Sequence, residues 1–284
     1  MFETLTTLCR SFPYALMAGM LIGVACALLG VFVILKRVVF IGIALSEMAA
    51  CGVAMALLLG VPPFSGAVVL TLLAVCLLAI PFESRRIPRD AIMGVLFVAA
   101  SSLSVLLVSG SGHGLQEIKS LLYGDLILAN RADFFVVCAV MIPSVVYLLL
   151  FMRPTLYAFL DREAATVLRV SPARWELLFF LILGLVVAAA SKVAGAVLVF
   201  CYLIAPAAAA LLLARRLWLV LSLAGLFAVL ATLSGIALSF AADLPTNQTI
   251  CATACILLLL LGLIAVIRHC YAQLSKSWGL KRKQ

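Results

Sequence analysis

The chain has 284 residues, of which 67% are hydrophobic and 11% charged, with a mean hydropathy of +1.31. Soluble domains are only about 45–50% apolar, so the composition excludes an ordinary soluble protein and points to an integral membrane protein. The net charge of +9 raises the question of a nucleic-acid partner, which only its distribution along the chain can decide.

A helix crosses the ~30 Å hydrocarbon core with roughly 20 mainly apolar residues. On this measure the sequence predicts nine spans, at residues 13–35, 38–60, 64–82, 91–109, 134–151, 175–190, 193–214, 217–240 and 249–267. The runs are unbroken and lack the two-residue alternation of barrel strands, so the fold class is all-α: one polytopic transmembrane domain over residues 1–284. Eight spans are the alternative, because only Ser191 and Lys192 part the sixth from the seventh. Pro206 removes a helical hydrogen bond and predicts a kink in the seventh.

Alternating these spans places sixteen of the twenty Lys and Arg on one side, leaving Arg10, Lys119, Arg131 and Lys192 on the other. The positive-inside rule then predicts an outer N-terminus and a cytoplasmic C-terminus. The basic excess is accounted for by topology, with no nucleic acid called for. Residues 1–10 carry Glu3 and no basic run, so the first span is expected to stay in the mature protein rather than leave as a signal peptide.

Two connections are long. The outer one, 110–133, opens on Gly and Ser and continues as an amphipathic "LQEIKSLLYGDLILAN" that can lie at the interface or dip into the protein. The inner one, 152–174, contains "PTLYAFLDREAATVLRV". There Pro154 breaks the preceding span, Asp161 caps a new helix, and Ala164, Ala165, Val167 and Leu168 make an apolar patch among Arg162, Glu163 and Arg169. Such a helix suits docking into a soluble partner, although a solvated connector has the same pattern.

Inside the membrane, span two places Gly42, Ser46, Ala50 and Ala54 on one small-residue face that lets a neighbouring helix approach. The next stripe reads Ile43, Glu47, Cys51. A charged carboxylate facing lipid costs roughly 2.5–3.5 kcal/mol, so Glu47 is expected to face the bundle interior or an aqueous path, as a functional or a hydrogen-bonding group. Ser101, Ser102, Ser104 and Asp243 read as packing or capping residues. Lys192 either caps a tight outer hairpin or snorkels.

The nine cysteines form no CxxC pair; Cys251 and Cys255, four apart, read as small packing residues. His113 and His269 have no third ligand at metal spacing. No nucleophile motif and no phosphate-binding GxxxxGK[ST] loop is present, so the chain is expected to be no enzyme and to bind no cofactor itself.

Six segments in order carry a resemblance: "LLGVFVILKRVVFIGIALSEMAACGVAMALLLG", "RDAIMGVLF", "SLLYGDLILAN", "DREAATVLRVSPAR", "SKVAGAVLVFCYLIAPAAAALLLARR" and "GIALSFAADLPTNQTI". Together the chain resembles the integral-membrane permeases of bacterial ABC importers for zinc, manganese and iron. The resemblance implies a bacterial cytoplasmic (inner) membrane location, a second permease, either an identical copy in a homodimer or a related permease, a cytoplasmic ATPase binding ATP and magnesium, and an extracytoplasmic solute-binding protein. It also implies that 161–170 is the coupling helix, with Asp161, Arg162, Glu163, Ala164, Ala165 and Leu168 meeting the ATPase.

Such permeases usually read G-D-A-L-S-H in span two, with the aspartate and histidine turned into the pathway. Here those places hold Ile43 and Glu47, and a glycine common in the coupling helix is Arg169. The borderline-soft pair that suits zinc or manganese is thus changed. Pathway candidates are Glu47, Ile43, Cys51 and Ser46, with Glu47 a metal ligand if the cargo is a bare divalent ion. Otherwise Glu47 meets a metal chelate or another cationic solute. A proton-coupled secondary transporter using Glu47 and Lys192 is the remaining alternative.

Overall fold

The computed structural model describes residues 13–79, 89–110, 126–160 and 171–281. They form α1 (Pro13–Leu35), α2 (Phe40–Leu59), α3 (Pro63–Ala79), α4 (Arg89–Gly110), a 3-10 turn (Leu126–Leu128), α5 (Arg131–Leu150), α6 (Met152–Leu160), α7 (Pro172–Ala194), α8 (Ala196–Leu213), α9 (Leu217–Ala242) and α10 (Thr246–Lys281). No strand occurs among the described residues. Eight of the helices are long and apolar enough to cross a membrane, and α3 is a shorter apolar helix of 17 residues. Each of the nine predicted spans falls on one of these nine helices, while α6 is an addition.

The core forms around α1, α2, α7, α8 and α9, whose apolar stretches are at least half buried; α4, α5 and α10 lie at the periphery, with only about a fifth of theirs covered. Lipid tails are as apolar as leucine, so the helices associate by close packing rather than by escape from water. Glycines supply that packing. A Cβ on Gly30 of α1 would stand 1.8 Å from the backbone oxygen of Leu203 in α8. Gly52 of α2 and Gly66 of α3 face each other in the same way, each meeting the other's backbone oxygen at 2.3 and 2.2 Å. One buried polar cluster is paired locally: the Tyr202 hydroxyl lies 2.6 Å from Thr232 Oγ1, which donates to the Ala228 carbonyl at 2.8 Å.

Ion pairs tie both ends of α7. Near its start, Glu176 meets Lys36, the residue after α1, at 2.7 Å. Near its end, Lys192 meets Asp133 of α5 at 2.7 Å. At that second end Asn247, on α10, donates to the Ala194 carbonyl at 2.9 Å and accepts from the Leu126 backbone N–H at 3.4 Å. The end of α1 therefore lies beside the start of α7, and the starts of α5 and α10 lie beside its end.

Three boundaries differ from expectation. The sixth and seventh spans part at Gly195 (φ 77°, ψ 158°), not at Ser191 and Lys192, because only glycine adopts that backbone without strain. Lys192 thus belongs to the last turn of α7, where a cation complements the helix dipole. The preceding span ends at Leu150, four residues before Pro154, which stands in the first turn of α6, where its missing N–H has no helical partner to lose. The span expected from residue 134 starts three residues earlier, at an Asn130–Asp133 capping box. Pro206 sits inside α8, which runs on through it.

Candidate functional site

Glu47 lies on the second turn of α2 with 6% exposure, and its Oε2 atom has no hydrogen-bond partner. Buried polar atoms almost always have one, so an orphan carboxylate oxygen calls for a reason. The Ser101 hydroxyl of α4 is its hydrogen-bonding neighbour, and Cys51, 1% exposed, is the next titratable group on the same face of α2. Ser46 is fully buried, but its hydroxyl donates back to the Gly42 carbonyl at 2.9 Å, leaving it no donor for a ligand. Ile43, partly buried, adds apolar wall only.

The small face of span two is used as expected at Gly42, which meets Phe200 and Leu203 of α8. Its tightest contact is elsewhere, at Gly52 against α3, where Gly52 and Ala56 are the small residues one turn apart. Ser104 donates to the Ser101 carbonyl at 2.8 Å, and Ser102 is exposed. Asp243 caps α9 in the left-handed conformation (φ 55°). Cys201 of α8 donates to the Cys251 carbonyl at 3.8 Å, so that pair of helices packs through sulfur.

Among the described residues no group of three His, Cys, Asp or Glu converges to hold a metal. His113 and the segment with Asp161, Arg162, Glu163, Ala164, Ala165 and Leu168 lie outside the described residues. Glu176 is the acidic residue that sequence reading passed over. The signal was present, since a lone carboxylate in an apolar span is the criterion that singled out Glu47.

Among the described residues, eight membrane-length apolar helices pack around the buried carboxylate of Glu47, which defines a multi-pass membrane protein. The ABC 3 transport family matches residues 10–266, and the chain belongs to that family. It is 31% identical over 240 residues to the manganese transport system membrane protein MntC of Halalkalibacterium halodurans, covering 84% of this chain and 82% of the relative. It is 30% identical to the chelated iron transport system membrane protein YfeC of Yersinia pestis, covering 83% and 80%. It is 27% identical to the high-affinity zinc uptake system membrane protein ZnuB of Haemophilus influenzae, covering 84% and 91%. The fold matches PsaBC from Streptococcus pneumoniae, solved in complex with Fab, with a TM-score of 0.82 at 24% identity over 92% of this chain and 95% of that one.

Proposed function

We propose that the chain is the permease subunit of an ATP-binding-cassette importer that carries manganese, zinc or iron as divalent ions across the bacterial cytoplasmic membrane. Relatives named for manganese, for zinc and for chelated iron support a metal cargo. The carrying observation is Glu47 Oε2, a buried oxygen with no protein partner, at the place where the resembling permeases hold a pathway histidine. A hard carboxylate oxygen in a low-dielectric site attracts a cation that completes its coordination.

In this reading two copies of the permease pack together, an extracytoplasmic protein delivers the metal, and a cytoplasmic ATPase holds ATP and magnesium. The Lys36 end of the bundle faces the cytoplasm, as the Lys and Arg distribution requires. Residues 161–170, within the loop 152–174, receive the ATPase. Residues 1–284 act as one membrane domain. The chain supplies the path and the partner supplies the hydrolysis.

A second reading, a metal chelate or other cationic solute, is favoured by one observation. Ile43 removes an oxygen from the pathway, and no three-ligand group stands in its place among the described residues. The proton-coupled reading loses its support because Lys192 is engaged with Asp133, near the far end of α7.

The test is cargo-dependent ATP hydrolysis by the permease reconstituted with its ATPase and binding protein, titrated with manganese, zinc and iron(II), beside an Ile43→Asp/Glu47→His variant. Stimulation of the native complex by a free ion supports bare-metal transport. Stimulation gained only in the double variant overturns it in favour of another cargo.

A further inference from the structure

Lys36 follows the last residue of α1, and its ammonium group reaches two further helices. It lies 2.7 Å from Glu176 Oε1 on α7 and 4.6 Å from the centre of the Phe159 ring on α6. The ion pair is buried, with 10% and 11% of the two side chains exposed. Phe159 is wedged in turn, edge-on to Phe179 at 5.0 Å and 6.4 Å from Phe180, while Phe179 lies 6.1 Å from Phe32 of α1. α6 is therefore fastened to α1 and α7 by a charge and by an aromatic stack.

The chain then turns sharply. Arg37 takes a left-handed backbone (φ 62°), its N–H bonding the Ile34 carbonyl at 2.9 Å, and α2 starts at Phe40. Glu47 sits two turns further along α2, so the residue that grips α6 and α7 also fixes where the Glu47 helix begins. On the other side, Phe159 stands two residues before Asp161 in sequence.

We propose that Lys36, Glu176 and Phe159 are positioning residues that carry ATPase-driven movement from the segment after α6 to α2 and its carboxylate. This rests on the reading of 161–170 as the ATPase-docking segment. The physical ground is that a desolvated ion pair resists separation far more than an exposed one, so α6, α7 and the α1–α2 turn move as one body. A helix held only by apolar contacts would slide.

The test uses the full complex in proteoliposomes and reads ion uptake per ATP hydrolysed, for whichever of manganese, zinc or iron(II) the native complex moves. Lys36→Met and Glu176→Gln are expected to keep hydrolysis while uptake per ATP drops about fivefold. Lys36→Arg, which preserves the charge and the ring contact, is expected to restore the native ratio. Unchanged uptake per ATP in Lys36→Met and Glu176→Gln, with native transport intact, overturns the strut. A proportional fall of uptake and hydrolysis also overturns it, since that marks a merely structural pair. A native complex whose hydrolysis ignores the permease overturns the docking reading on which the strut rests.

Discussion

Lys36 and Glu176 join the end of α1 to the start of α7 through a 2.7 Å ion pair that is about nine-tenths buried. Removing one member breaks a desolvated ion pair, and such losses cost about 3–5 kcal/mol. Glu176→Ala is therefore expected to lower the thermal midpoint of the detergent-solubilised protein substantially. Lys36→Met/Glu176→Leu, which removes both members of the pair, is expected to recover part of that loss. Equal midpoints for the single and double variants would show that the pair is solvated.

The Lys192–Asp133 pair shares that length but not that environment, since its side chains are 26% and 20% exposed. Partial exposure lets water and salt screen it, so Lys192→Met is expected to cost about 0.5–1 kcal/mol. Added salt should shrink the difference from the native protein. Thermal midpoints at low and high ionic strength measure this directly.

Gly30→Ala and Gly94→Ala make a matched pair. The first puts a methyl group 1.8 Å from the Leu203 carbonyl, so α1 and α8 must separate; the second meets nothing within 4 Å on an exposed helix. Overpacking of this kind costs typically 1–3 kcal/mol or more, whereas alanine gains about 0.5–1 kcal/mol over glycine inside a helix. Midpoints should move in opposite directions.

At the carboxylate, Glu47→Gln keeps shape and hydrogen-bonding capacity but removes the charge. Uptake of the divalent ion is expected to fall at least about tenfold, the scale reported for lost ligand-supporting groups, while expression and fold persist. Ile43→Asp adds an oxygen one turn away and is expected to raise apparent affinity for manganese. Full uptake by Glu47→Gln would remove this residue from the pathway.

The helices were legible because membrane helices need length and apolarity, and both are written into runs of the sequence. Their ends were less so. Gly195 was hidden by the polar Ser191 and Lys192, which look like a turn but complete the helix before it. The 130–133 capping box was missed because the count of apolar residues began at Phe134. Glu47 was visible as an isolated charge; its partner relations were not, since Ser101 lies more than fifty residues away and reads by itself as a packing residue. Lys36 looked like part of the basic turn that sets topology, and only packing turned it into a link between helices.

Gly195 leaves a single residue between α7 and α8. A longer loop would act as slack, letting one helix shift while the other stayed still. Here the two helices share a pivot, stiffened by the Asn247 amide on the Ala194 carbonyl. α7 carries Glu176 near one end, and α8 presses Phe200 and Leu203 onto Gly42, five residues before Glu47. A tilt that begins at the Lys36 end of α7 thus has a second route to the carboxylate, with no slack in it.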